Sequence, residues 1–294
     1  GGQAVELLQA GHVSVEFPAQ EVWWWRYAAL RATEGAESQA ARQALAATWA
    51  SLHNAIATLS DMGLRRSYLG RVSLNRRILE AAAGDAALPS PAPPDSQAGL
   101  HEQLTRLLTV AAGMNELHAA AALRELFLDE VAELTGADRI LFVVGASPHE
   151  PAALLERGAA PAGLPALVAA ARPLLHEATR RRRGLLREQL PEPEAPPPDA
   201  LGPRSALAVP LISGAQVVGS LYAEVPARIG PFTSGDLELV SLLATQAATA
   251  MENGRLYEQA RRARADLERL VEERTADLRA ANKALEGQAA EAQA

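Results

Sequence analysis

The sequence predicts an α+β protein in which helices flank an antiparallel sheet, with an all-α segment before it and a long coiled-coil helix after it. Before residue 84, apolar residues recur every three or four positions, the period of a helix. Between residues 139 and 224, short runs rich in β-branched residues are typical of strands. From residue 254 to 286 there is no proline, and apolar residues follow a coiled-coil spacing.

The composition excludes several classes of function. The 294 residues contain no cysteine, so a thiolate metal site and a covalently attached bilin are impossible. The only lysine, Lys283, follows Asn282 and cannot complete a triphosphate-binding loop. No apolar run is long enough for a membrane helix, and the chain opens on glycines rather than a leader. We expect a cytoplasmic protein with no membrane partner.

A charge of −7 argues against binding to nucleic acid. The only basic block, Arg180 to Arg183, is typical of a helix end, where positive charge complements the helix dipole.

Two proline-rich stretches organise the chain. Residues 88–95 mark a domain boundary because successive prolines cannot continue a helix, and residues 191–199 are predicted to form an exposed loop. The predicted units are a helical segment 1–84, a linker 85–98, a leading helix 99–117, a domain of mixed helices and strands 118–253 and a coiled coil 254–294.

The N-terminal segment is predicted to contain a helical hairpin and a third, shorter helix from about Leu74 to Ala82. One stripe consists of Ala41, Leu45, Trp49, Leu52, Ile56 and Leu59, and the other of Val22, Trp25 and Ala29. This segment resembles the end of a tetratricopeptide array. Core packing is the interpretation we favour for the three consecutive tryptophans, and stacking on a sugar or base is the alternative.

The central region changes from helical to strand periodicity. A helix carrying Leu123 and Phe127 is predicted to end at Gly136, and Arg139 to Val144 has the composition of a buried strand. Residues 151–158 are predicted to form another strand, followed by a helix over 164–176.

A β-hairpin followed by a capped helix is predicted next. Strands over 205–212 and 215–224 are joined by a turn at Ser213-Gly214. Thr233 and Asp236 have the spacing of a capping box, and an apolar stripe begins at Leu237.

Residues 204–257 resemble a GAF domain, a small-molecule sensor module, and the resemblance extends back to about residue 118. The segments that carry it are Arg204 to Leu211, Gly219 to Tyr222, Phe232 to Asp236, and Leu242 through Tyr257. The resemblance implies a ligand pocket between the sheet and the connecting segments 145–203. Neither the pocket residues nor the ligand follow from the sequence.

The C-terminal segment has the spacing of a parallel two-stranded coil. Its seam contains Leu267, Val271, Leu278 and Leu285, with a stutter between the first two and Arg274 on the seam itself. The stretch resembles the signalling helix that joins sensors to output domains, and its signature is Glu273-Arg274-Thr275. The resemblance implies a downstream histidine kinase, as in two-component systems, or a nucleotide cyclase. An ordinary solvated helix is the alternative.

No residue of the chain stands out as catalytic. The six histidines are scattered, so no sequence-local zinc site is expected. His101 lacks the proline that normally completes a phosphoacceptor box, and we do not expect His176 to hold haem. The lysine-containing signature of cyclic-nucleotide-binding GAF domains is absent.

We therefore expect a non-catalytic sensory segment that couples a ligand or an upstream domain to an output domain through a parallel homodimeric coil. The alternative is a ligand-free scaffold for dimerisation and spacing.

Overall fold

The computed structural model describes residues 18–59, 61–83, 88, 109, 113–114, 120–145, 153–158, 163–190 and 203–293, without side chains at residues 83, 120 and 280–293. Nearly all of the predicted linker 85–98 and of the predicted leading helix 99–117 lies outside these residues, as does His101.

The described residues before position 84 form four helices. They are α1 (Ala19–Glu34), α2 (Gln39–Ala57), α3 (Met62–Arg71) and α4 (Ser73–Ala83). Helix α2 begins where the Ser38 hydroxyl accepts a hydrogen bond from the Ala41 amide, and α3 begins where the Asp61 carboxylate accepts one from the Leu64 amide.

The predicted hairpin is confirmed, with one correction to its first helix. Five residues of the predicted stripe are buried on α2, namely Ala41, Leu45, Trp49, Leu52 and Ile56. The sixth, Leu59, lies beyond the end of α2 and is half-buried. On α1 the predicted stripe is wrong: Trp24 and Tyr27 are buried, and Trp25 is 56% exposed. The Trp24 ring lies 5.3 Å from the Tyr27 ring and has the Arg77 guanidinium over it, which fixes the face that α1 buries.

Five strands form one antiparallel sheet in the order β2-β1-β5-β4-β3. They are β1 (Arg139–Val144), β2 (Ala153–Arg157), β3 (Leu185–Arg187), β4 (Arg204–Ser213) and β5 (Gln216–Pro226). The predicted strands and the β4–β5 hairpin are confirmed. The edge strand β3 was not predicted because three residues are too few to show a period.

Helices cover both faces of the sheet. On one face lie α5 (Ala120–Thr135) and α7 (Ser234–Gln293), and on the other lies α6 (Leu164–Arg181), which runs further than predicted. In β1, Ile140 and Phe142 face the first layer and Leu141 and Val143 face α6. This architecture confirms the predicted fold class.

The first layer includes the N-terminal helices. Buried side chains of α1–α4, α5, the sheet and α7 form one continuous cluster, which contains Leu52, Leu69, Phe127 and Val240. The helical segment therefore packs into the same core as the sheet.

The last helix is continuous for 60 residues. It begins against the sheet and passes Gly254 without a break, so the predicted long C-terminal helix is confirmed. Among the described residues, every helix is too short or too polar to cross a bilayer.

Candidate functional site

Arg66 connects the N-terminal helices to the start of α7. Its side chain is fully buried and forms two 2.9 Å hydrogen bonds with the Asp236 carboxylate. The remaining three N–H groups donate to backbone carbonyls, at 2.9 Å to Gly230, 2.7 Å to Pro231 and 2.9 Å to Thr135. All five donors of this guanidinium are thus used, as a buried charge requires.

Two glycines allow α3 to come close enough for this contact. A Cβ atom on Gly63 would lie 2.3 Å from the Leu134 carbonyl oxygen, and one on Gly136 would lie 2.5 Å from Cβ of Arg66. Gly136 has φ of 64° and ends α5 with a hydrogen bond from its amide to the Ala132 carbonyl, as predicted. The backbones of α3 and α5 therefore touch with no side chain between them.

Asp236 has a second role as part of the predicted capping box, which the structure confirms. Its carboxylate accepts a 2.7 Å hydrogen bond from the Thr233 amide, and the Asp236 amide donates at 3.2 Å to the Thr233 hydroxyl. The same carboxylate thus caps α7 and pairs with Arg66. The beginning of α7 is consequently defined by a residue of α3.

A second buried polar cluster lies on the α6 side of the sheet. The Tyr222 hydroxyl donates to Glu224 at 2.7 Å, and Glu224 is in ion-pair contact with Arg139 at 2.6 Å and Arg204 at 3.0 Å. Arg204 also pairs with Asp138. Burial, and secondarily the negative charge of Glu224, raise the pKa of Tyr222 far above its usual range. The phenol therefore stays protonated and can donate its hydrogen bond to Glu224.

Apolar side chains fill the rest of this face. Leu141, Val143, Ala206 and Ala208 of the sheet pack against α6 residues that are mostly small or aliphatic, namely Leu167, Ala171, Leu174, Leu175 and Ala178. The buried Ser220 hydroxyl has no hydrogen-bond partner. On the face where the resemblance implies a pocket, these described side chains are buried between α6 and the sheet.

The predicted signature residues lie on the exposed part of α7. Glu273 accepts a 2.9 Å hydrogen bond from Arg269, and Arg274 is 3.9 Å from Asp277. These pairs lie on the surface of one helix, where they add little stability. The structure does not bring Glu273, Arg274 and Thr275 together with either buried cluster.

The seam residues are among the most exposed apolar side chains of the described chain. Leu267 is 61% exposed, Val271 57% and Leu278 65%. Leu285 lies where side chains are not described. Such a row of exposed aliphatic residues is unusual unless another surface covers it.

The two histidines within the described residues lie on different helices. His176 is exposed on α6, and the Nδ1 atom of His53 lies 3.3 Å from the Trp49 carbonyl within α2. Over the described ranges, no three histidine or carboxylate side chains are arranged to hold a metal.

Arg66 is the functional residue that sequence reasoning missed. Its partner Asp236 was identified only as a capping residue. The local signal was weak because the buried positions of α3 include two arginines and a glycine, which do not form an apolar stripe.

A five-stranded antiparallel sheet with helices on both faces, and a continuous helix leaving one end, defines an α+β domain class. Residues 121–251 match the GAF domain family and adopt the GAF fold. No curated protein matches the sequence.

Several solved structures are similar to about half of the chain. The GAF domain from a phosphoenolpyruvate-protein phosphotransferase of Coxiella burnetii is 16% identical, with 54% of this chain and 98% of that chain covered and a TM-score of 0.42. The corresponding Acinetobacter domain is 16% identical, with 53% and 95% covered and a TM-score of 0.41. The GAF domain/HD domain protein from Geobacter sulfurreducens is 18% identical, with 50% and 98% covered and a TM-score of 0.39.

Proposed function

We propose that this chain is the non-catalytic sensory segment of a cytoplasmic signal-transduction protein. Its GAF domain couples the state of a ligand or of the N-terminal helices to a downstream output domain. The single observation that carries this proposal is α7, which starts in the core of the domain and leaves it as one uninterrupted helix. A histidine kinase or nucleotide cyclase is the kind of output that the signature Glu273-Arg274-Thr275 favours.

The coupling element in this proposal is a parallel dimeric coiled coil. Leu267, Val271 and Leu278 supply its seam, and their exposure supports the presence of a covering partner. Ala263 lies four residues before Leu267 and continues the seam toward the GAF domain. Steps of seven residues from Ala263 lead to Leu256 and, further back, to Leu242, which are 49% and 45% exposed. A second copy of α7 placed alongside would therefore also contact the part of the helix that belongs to the GAF domain.

Light scattering of the whole chain at tens of micromolar tests the dimer. We expect the mass of a dimer for the wild-type protein and of a monomer for Leu267→Glu/Val271→Glu, because charges on both seams repel. The matched control Ala265→Glu/Ala276→Glu adds the same charges on the opposite face and should remain dimeric. A monomeric wild-type protein would overturn the coil.

The apolar cluster buried between α6 and the sheet favours a second candidate, a scaffold that binds no small molecule and serves only for dimerisation and spacing. Thermal-shift measurements with metabolites, cyclic nucleotides and haem separate the two candidates. A compound that binds the native state raises its melting temperature, whereas the scaffold shows no shift with any of them.

A further inference from the structure

We infer that the helices α1–α4 regulate α7 through Arg66, so that a change in their packing reaches the first turn of α7 without passing through the sheet. This inference rests on the proposed role of α7 as the connection to an output domain. The structural elements involved are the Arg66–Asp236 ion pair, the segment that precedes α7, and the contacts that hold α3 to the other N-terminal helices.

The first argument is the set of groups that Arg66 holds. Gly230 and Pro231 lie directly before α7, and Thr135 is the last residue of α5. One fully buried guanidinium therefore fixes the path by which the chain enters α7. Because every N–H group of Arg66 is used, α3 cannot shift without breaking hydrogen bonds to that path.

The second argument is the shared carboxylate. Oδ2 of Asp236 accepts hydrogen bonds from Arg66 and from both the amide and the hydroxyl of Thr233. If Arg66 withdrew, Asp236 would remain as a buried carboxylate without its cation, and hydration or protonation would follow. Either change disturbs the capping box, so the position of α3 controls the order of the first turn of α7.

The third argument concerns how α3 follows the other helices. Two residues along from Arg66, the Tyr68 hydroxyl accepts a 2.7 Å hydrogen bond from Gln20 of α1. The Tyr68 carbonyl accepts a 2.9 Å bond from Asn75 of α4. The indole of Trp24 in α1 also lies under Arg77 of α4. A rearrangement of the α1–α2 hairpin therefore acts on α3 close to Arg66.

Hydrogen exchange of the whole chain, followed by mass spectrometry over residues 232–243, tests this route. Leu52 is fully buried in α2, and Leu52→Ala loosens the hairpin. We expect this substitution to speed exchange over 232–243 by about threefold or more. In an Arg66→Met background, where the connection is absent, Leu52→Ala should cause no further increase in hydrogen exchange over residues 232–243. The control Asn54→Ala, on the exposed side of α2, should leave exchange unchanged.

Two results would overturn the inference. One is faster hydrogen exchange within α2 in the Leu52→Ala variant, with no change in exchange over residues 232–243. The other is equal acceleration by Leu52→Ala in the wild-type and Arg66→Met backgrounds, which would assign transmission to the shared apolar core. If Arg66→Met does not fold, the double variant Arg66→Met/Asp236→Asn serves as the uncoupled background. It removes every Arg66 hydrogen bond without leaving an unpaired buried carboxylate, and Asn keeps an oxygen to accept the Thr233 amide hydrogen bond.

The same samples distinguish this inference from the proposed function. The seam residues lie far along α7 from Arg66, so light scattering reports the coil independently. If the protein is a dimer but Leu52→Ala leaves hydrogen exchange over residues 232–243 unchanged, only the Arg66 route is overturned. If the protein is a monomer with the expected exchange pattern, only the coiled coil is overturned.

Discussion

The guanidinium of Arg66 and the carboxylate of Asp236 form two parallel hydrogen bonds of 2.9 Å across 170 residues of sequence. Neither side chain is accessible enough for water to replace its partner. Removing one member of such a buried pair typically destabilises a protein by about 3–5 kcal/mol, because the other charge remains unpaired. Separating the N-terminal helices from the start of α7 would therefore leave a buried charge without its partner.

Gly63→Ala tests the close approach of α3 to α5. The added Cβ would lie 2.3 Å from the Leu134 carbonyl oxygen, which is backbone and cannot move aside alone. We expect urea unfolding to show a loss of about 3 kcal/mol in the free energy of unfolding. Gly235→Ala is the control, since its Cβ has only an ordinary 3.6 Å contact, and it should be neutral or slightly stabilising. Similar stabilities for both variants would contradict the close approach.

Thr233→Ala tests the capping box at the start of α7. The variant loses the hydroxyl that accepts from the Asp236 amide and donates to its carboxylate. We expect the free energy of unfolding to fall by about 1 kcal/mol in chemical denaturation. Thr245 also donates through its hydroxyl, but on the exposed side of α7 to the Ser241 carbonyl. Thr245→Ala should therefore be neutral, and an equal loss in the two variants would exclude a capping role.

Ala171→Leu tests the packing of α6 on the sheet. Ala171 is fully buried against that face, so three extra carbons must displace their neighbours. Thermal unfolding should show destabilisation by about 1–3 kcal/mol. Ala170→Leu, on the exposed side of the same helix, makes the same chemical change without crowding. If Ala171→Leu is as stable as Ala170→Leu, the interface between α6 and the sheet contains empty volume, which would favour a ligand pocket there.

Tyr222 should make the stability of the fold depend on alkaline pH. Burial holds the pKa of Tyr222 above the value of about 10 expected in the unfolded chain. The contribution of Tyr222 to the free energy of unfolding is therefore complete below about pH 10. It is lost as the pH rises further, because the unfolded chain then binds fewer protons than the folded chain. Tyr222→Phe should be about 1 kcal/mol less stable at pH 7, through loss of the hydrogen bond to Glu224.

The stability of Tyr222→Phe should fall less steeply with pH than that of the wild-type protein, so the difference between them narrows above about pH 10. Urea unfolding at several pH values between 7 and 11 measures both slopes. Parallel slopes would show that the phenol titrates normally in the folded state.

Local patterns were sufficient to predict the elements that carry their own signals. The β4–β5 hairpin turn, the Thr233–Asp236 capping box and the glycine that ends α5 each depend on residues within a few positions of one another. The structure confirms the capping box and the glycine, and it places the turn at Gly214-Ala215, one residue later than predicted, because Ser213 still pairs with Gln216 in the sheet. The boundaries of the predicted domains and the pairing of α7 with a second copy remain predictions.

The parts that could not be predicted depend on distant partners. Three consecutive tryptophans offer a large side chain to every face of α1, and only the contacts of Trp24 with Tyr27 and Arg77 decide which face is buried. Arg66 is similar: an arginine in a helix is ordinarily exposed, and its five acceptors come from segments that a local window never contains.

The continuous α7 also has a mechanical consequence. Sixty residues of helix extend about 90 Å from Ser234 to Gln293. Side chains of α7 pack in the core as far as Met251, so residues 252–293, about 63 Å of helix, project beyond it. A tilt of about 5° where the helix leaves the core would displace the far end by roughly 5.5 Å, about one helical pitch. Small adjustments at that point would thus become movements as large as side chains at the far end.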